Sequence, residues 1–202
     1  MHSIKIRHLG IVDYQQTVEK MENFTAQRQK NTASEIWLLQ HPAVYTLGQA
    51  GKRSHILNSQ QIPVIQTNRG GQVTYHGVGQ LIAYCLLDLK ALGFGVKKLV
   101  YLLEQSMIDL LKQFDIQAQR KTKAPGVYVG EAKIAALGLR IRRGYSFHGL
   151  ALNIKMDLTP YQGINPCGYA GLEVCQMSQF IDCDLNQIEV ILGQKICDSL
   201  IL

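Results

Sequence analysis

The chain has one tryptophan, five prolines and no long apolar run in its 202 residues. The missing apolar run excludes a membrane span. It also excludes a signal-peptide core, because Lys5, Arg7 and two histidines interrupt the apolar residues of Met1 to Gly10. Cysteine is scarce: five thiols, at 85, 167, 175, 183 and 197, are too sparse and odd in number for a disulfide framework and fit a reducing cytosol. No CxxC, HxxxH or HxE pattern occurs, which argues against a metal site. Nucleotide loops are missing too. Gly77-Val78-Gly79 has Ile82 where a dinucleotide fingerprint needs its third glycine, and Gly48-Gln-Ala-Gly51-Lys52 is too short between its glycines for a phosphate-binding loop. At 47% hydrophobic and 18% charged the chain is neither disordered nor membrane-like. These absences predict a soluble cytoplasmic protein without metal or cofactor. Residues 1–202 form one globular domain, which buries roughly 70% of its unfolded surface.

What is present begins with charge. Twenty-one basic against 15 acidic side chains give a net +6, which favours an acidic partner. Nucleic acid is one candidate, but the basic residues are scattered, and only Arg120-Lys-Thr-Lys123 is dense. An acidic carrier protein fits equally well.

Periodicity supplies the elements. Ile4 to Leu9 reads as a strand, and Asp13 opens an amphipathic helix through Tyr14, Val18 and Met21. Glu35 to Leu39 and Val64 to Thr67 are further strands. Gln80 to Leu89 is apolar on both alternating sets, the mark of a central strand with Cys85 in the core. Lys97 to Phe114 and Ile188 to Leu200 have helical spacing, and Cys197 falls on the apolar face of the second. Gly126 to Gly130, Ala132 to Ile141 and Tyr145 to Ile154 read as strands joined by short hairpin turns. The sum is an α+β fold, a mixed, largely antiparallel sheet flanked by helices.

Cys167 stands out among the thiols, because Pro166 and Gly168 constrain it to a turn that displays its sulfur. A free thiol with a pKa of roughly 8.5 needs a neighbouring base or cation to act as a nucleophile near neutral pH. Lys133 is one candidate. Strand alternation puts it in phase with Ala135, Leu137, Leu139 and Ile141, on the apolar side, where partial desolvation would lower its pKa. A lysine that snorkels from the strand end into water is the alternative. His76 and His148 are rival bases.

Two glycine-rich stretches offer ligand contacts. Arg69, Gly70, Gly71, Gln72, Val73, Thr74, Tyr75 and His76 form a run whose paired glycines allow close backbone approach, or make a simple β-turn. Phe147-His-Gly-Leu-Ala-Leu-Asn153 invites the same two readings.

Four blocks in order, Arg69-Gly-Gly-x-x-Thr-x-His-Gly, Ala132-Lys-Ile-Ala-Ala-Leu-Gly, Phe147-His-Gly-Leu-Ala-Leu-Asn and Ile164-Asn-Pro-Cys-Gly, resemble the octanoyltransferases of lipoate biosynthesis. Val78 departs from that pattern, standing where the family usually has proline, which frees the local φ and restores an N–H. The resemblance implies a fold similar to lipoate and biotin protein ligase catalytic domains. It implies transfer of an octanoyl group from octanoyl-acyl carrier protein to the ε-amino group of a lysine on lipoyl domains. The acceptors would be those of the 2-oxoacid dehydrogenase complexes and the glycine cleavage H protein. Cys167 would carry the acyl group as a thioester, with Lys133 as general acid and base. The Arg69 to His76 run, Ala136, Leu137 and Gly138, and Gly149, Leu150 and Ala151 would line the substrate site. A monomer with no nucleic-acid partner is implied, with an ATP-dependent lipoate ligase as the sibling alternative and an RNA-binding module as the remote one.

Overall fold

The computed structural model describes residues 4–201; the first three residues of the amino-terminal stretch, His2 among them, lie outside it. Strand β1 (Ile4–Ile11) leads into helix α1 (Tyr14–Ala26), where the Asp13 side chain accepts the Gln16 N–H at 2.9 Å, the N-cap its position predicts. There follow β2 (Ser34–Gln40), β3 (Val44–Leu47), β4 (Val64–Gln66), β5 (Val73–His76) and β6 (Gln80–Leu86). Helices α2 (Leu89–Leu92) and α3 (Val96–Gln113) precede β7 (Gln119–Lys121), β8 (Ala124–Val129), β9 (Ala132–Arg142) and β10 (Tyr145–Asn153), and α4 (Leu185–Ile201) ends the described chain.

Seven strands form one sheet in the order β1-β2-β6-β10-β9-β8-β7, with β1 parallel to β2 and the other neighbours antiparallel. β6 lies at its centre, every residue buried, as its unbroken apolar run predicts. Helices α3 and α4 cover one face. Leu99, Leu103, Met107 and Leu110 of α3 are fully buried there against Leu81, Ala83 and Cys85, each contributing about 1.5–3 kcal/mol by leaving water. Part of the other face is covered by α1, whose Met21 packs with Trp37, Ile82 and Ala151. A second sheet, β4-β3-β5, has its own cluster around Tyr45, Tyr75 and Tyr161. β5 occupies the end of the Arg69 to His76 run, because Val73 and Tyr75 alternate into that cluster and favour a strand.

One irregularity decides where the site forms. Val127 pairs with Ala135 but Tyr128 pairs with Lys133, so β9 carries an extra residue, Ile134, at a bulge. Ile134 and Ala135 both enter the core beneath α3 and α4, and Leu137, Leu139 and Ile141 pack against it. Lys133 is thereby put out of step with them. The expected common phase is corrected: the bulge turns Lys133 away from the helices.

Candidate active site

Cys167 sits in the short turn Pro166–Gly168 with φ +56°, followed by Gly168 at φ +82°. The left-handed conformation costs a non-glycine residue about 1–2 kcal/mol and is held by its anchors. Asn165 donates its N–H to the His55 carbonyl at 2.8 Å, Gly168 to Asn165 at 2.9 Å and Tyr169 to Pro166 at 3.0 Å. The result is a half-buried sulfur fixed on a rigid corner.

Lys133 meets it there. Its Nζ donates to Cys167 Sγ at 3.0 Å and to the Pro125 carbonyl at 3.1 Å, and lies 5.1 Å from the centre of the Tyr128 ring. The segment after Cys167 is tied to the same residue: Lys133 donates its backbone N–H to Glu173 O at 2.9 Å, and Cys175 donates to Lys133 O at 3.0 Å. Thirty-four residues of separation are closed by these bonds. Lys133 is 5% exposed, so it does not snorkel. Burial pulls its pKa down, but the charge of the Cys167 sulfur and the bond to it, helped by Tyr128, leave it raised. The lowered pKa expected from burial alone is therefore corrected.

The rival bases are differently placed. Burial, with the charge of Arg69 contributing, pulls His76 and His148 each down to about 3 and keeps them neutral. His76 Nδ1 lies 2.7 Å from Gln80 Oε1, and His148 Nε2 lies 2.8 Å from Asn68 Oδ1. Cys85, Cys175 and Cys197 are ordinary core groups, and Cys183 is half-buried. Burial pushes Cys85 up to about 12 and Cys175 and Cys197 up to about 11. Among the described residues no His, Cys, Asp and Glu side chains cluster as a metal site would need.

From the Cys167–Lys133 pair a cleft of about 860 Å³, counted with its open mouth, runs between the large sheet and β5. Val73, Thr74, Ala136, Leu137, Gly138, Gly149, Leu150 and Ala151 line it, with Gly71, Gln72, Arg69 and His76. Gly70 and Tyr75 do not. Gly70 faces β9, donating its N–H to Leu139 O at 2.9 Å, and Tyr75 packs against Tyr45 and Tyr161. The glycines serve close approach: a Cβ on Gly138 would meet Gly70 O at 2.9 Å, and one on Gly149 would run into the Ala83 carbonyl. Arg69 offers little to a ligand, since its guanidinium bonds to Thr46, Gly70 O and Gln72 O and is buried with no carboxylate partner among the described residues. It shapes the loop instead.

Sequence reasoning missed Tyr14, Ile82, Tyr84, Pro125 and Tyr169 on the cleft wall. Tyr84 carried a signal, a hydroxyl inside a strand otherwise apolar on both sides that must find a buried partner. That partner is His41 Nε2, at 2.8 Å.

Residues 13–196 match the model of the lipoyl protein ligase A/B catalytic domain. A protein of Ectopseudomonas mendocina named octanoyltransferase is 58% identical over 181 residues, 90% of this chain and 88% of its own. An octanoyltransferase of Shewanella amazonensis is 60% identical over 174 residues, 86% of this chain and 81% of its own. Among solved structures, a lipoate-protein ligase A bound with ATP superposes with a TM-score of 0.81 at 13% identity, covering 97% of this chain and 85% of that one. The biotin protein ligase of Aquifex aeolicus superposes with a TM-score of 0.57 at 13% identity over 99% of this chain and 70% of that one. At such identities these last two show a shared fold, the lipoate and biotin ligase architecture that the sequence motifs implied.

Proposed function

The chain belongs to the lipoyl protein ligase A/B catalytic-domain family, as an octanoyltransferase, and we propose that it works through a Cys167 acyl-enzyme with Lys133 as proton carrier. As a family member it is an acyltransferase of lipoate biosynthesis. The donor in this reading is octanoyl-acyl carrier protein, whose acidity suits a chain of net charge +6. The acceptors are lysines on lipoyl domains and the glycine cleavage H protein. The enzyme acts as a monomeric single domain in the cytoplasm, where Cys167 stays reduced.

The observation that carries the reading is the 3.0 Å contact of Lys133 Nζ with Cys167 Sγ at the mouth of an apolar cleft. The sulfur, as thiolate, attacks the thioester carbonyl of the donor. The tetrahedral intermediate collapses, the donor C–S bond breaks, and the departing thiolate takes a proton from the Lys133 ammonium. One thioester replaces another, close to thermoneutral, so no ATP is consumed. In the acyl-enzyme the sulfur no longer carries charge. The largest influence holding the Lys133 pKa up is then gone while burial remains, so the amine becomes a base when one is needed. The acceptor lysine, as free amine, attacks the acyl carbon. Lys133 takes the proton from its nitrogen, the Cys167 C–S bond breaks, and the thiolate–ammonium pair is restored with an amide formed.

Intact-mass analysis after mixing with octanoyl carrier protein is expected to show one hydroxylamine-labile octanoyl adduct on Cys167, discharged by a lipoyl domain. No adduct on the wild type, or equal labelling of Cys167→Ser at another thiol, would overturn the reading. Consumption of ATP with Cys167 dispensable would point to a ligase.

A further inference from the structure

The cleft has a closed end as well as a reactive mouth. Tyr14, at the start of α1, and Tyr84 and His148, on β6 and β10, stand there. Each is locked in place. The Tyr84 hydroxyl donates to His41 Nε2 at 2.8 Å, and His41 in turn donates Nδ1–H to Val12 O at 2.7 Å. The Tyr14 hydroxyl donates to Thr67 Oγ1 at 3.1 Å, and His148 donates Nε2–H to Asn68 Oδ1 at 2.8 Å. Tyr84 and His148 meet edge to face at 5.8 Å. Between this wall and the nucleophile the floor is made of small residues, Ala136 opposite Ala151 and Gly138 opposite Gly149.

We propose that Tyr84, braced by Tyr14 and His148, stops the acyl chain at a depth set for eight carbons and so determines the chain length accepted. This rests on the octanoyl-transfer reading of the same cleft. The strand register gives the depth. Tyr84 pairs with Gly149 and Gly149 with Gly138, so Tyr84 lies two strands across from β9, about 10 Å at standard strand spacing. Along the strand it lies five residues from Lys133, of which the bulge absorbs one, leaving about 13 Å at standard rise. The diagonal is about 16 Å. The sulfur stands 3.0 Å from Lys133 Nζ. That diagonal joins Cα atoms, and once the inward reach of the side chains and about 3.7 Å of methyl contact are taken from it, the room left is that of a medium-length acyl chain. An extended chain advances about 1.25 Å per carbon, from the carbon–carbon bond length and angle, so sulfur to the eighth carbon spans about 10 Å. A longer chain must press on side chains that cannot turn aside, because each is hydrogen-bonded behind.

The test uses straight-chain fatty acids of four to fourteen carbons as probes, measuring how strongly each protects Cys167 from iodoacetamide. Protection is expected to rise about fourfold per methylene up to eight carbons and to fall at ten. Tyr84→Ala moves the optimum to ten or twelve carbons, and Ala151→Leu, which fills the floor, moves it to six or fewer. Should Tyr84→Ala fail to fold, Tyr14→Ala opens the same wall. A residue that was merely structural would weaken all chain lengths alike. Protection rising steadily to fourteen carbons in the wild type, or an optimum unmoved in both a folded wall variant and Ala151→Leu, would overturn the proposal. The readout needs no acyl transfer, so it stands apart from failure of the adduct experiment.

Discussion

Lys133 is held by three different neighbours, a sulfur, a carbonyl and an aromatic face, and each bears on a different protonation state. The carbonyl and ring favour the ammonium at all times, whereas the sulfur does so only while it carries charge. Lys133→Met keeps the length of the side chain and removes the cation. It is expected to slow Cys167 acylation by about two orders of magnitude or more while leaving the fold intact. Stopped-flow acylation with circular dichroism as control measures both. Unchanged acylation would remove Lys133 from the mechanism. The raised pKa has a stability consequence with a definite sign. Its contribution is present below the ordinary lysine value near 10.5 and is lost as pH rises through the higher folded value, far from the working range.

At the scale of elements, the turn from Gly77 to Gln80 tests the one departure from the family pattern. Gln80 donates to Gly77 O at 3.1 Å and Gly79 has φ +92°, the arrangement of a type II turn, with Val78 at the position that favours proline. Val78 is 54% exposed. Val78→Pro is expected to stabilise the protein by about 0.4–1 kcal/mol through the unfolded chain, without changing turnover. Urea midpoints decide it, and destabilisation would mean the Val78 backbone is not suited to proline. The same scale shows what the sequence could convey. β6 was legible because both of its alternating sets are apolar, and α1 because Asp13 precedes a helical repeat. The inward burial of Lys133 was legible, but its direction was not. A bulge leaves no trace in alternation, and because Ile134 and Ala135 both face the helices, Lys133 falls on the cleft side. β5 was hidden in a run of polar and glycine residues that reads as loop. The wall was hidden because Tyr14, Tyr84 and His148 come from three distant elements.

The whole molecule keeps three histidines neutral around one cleft. Burial pulls His41 down to about 4 and His76 and His148 to about 3, against an ordinary value near 6.5. Depressed values place the associated stability above pH 6.5 and remove it as pH falls toward 4 and 3, because the unfolded chain takes up protons that the fold refuses. Each histidine adds a slope of up to about 1.4 kcal/mol per pH unit in that window. Urea unfolding at pH 7, 6, 5 and 4 is expected to show steep loss starting near pH 6. A flat profile from 7 to 5 would mean that these side chains are protonated in the fold. Such acid sensitivity belongs to the cleft, since the same burial that shapes its closed end excludes protons from it.

The bulge in β9 also bears on how such a site can arise or be transplanted. In an unbulged strand, a lysine at this position would thrust an ammonium into the packed layer beneath α3 and α4. A bulge with an aliphatic residue there would leave the thiol without its partner. Neither half is useful alone, so the pair cannot be grafted onto a regular sheet by exchanging two side chains. Conversely, deleting Ile134 alone would restore regular pairing with β8 and leave Lys133 directly before Ala135, still on the cleft side, at the cost of the Ile134 side chain in the core.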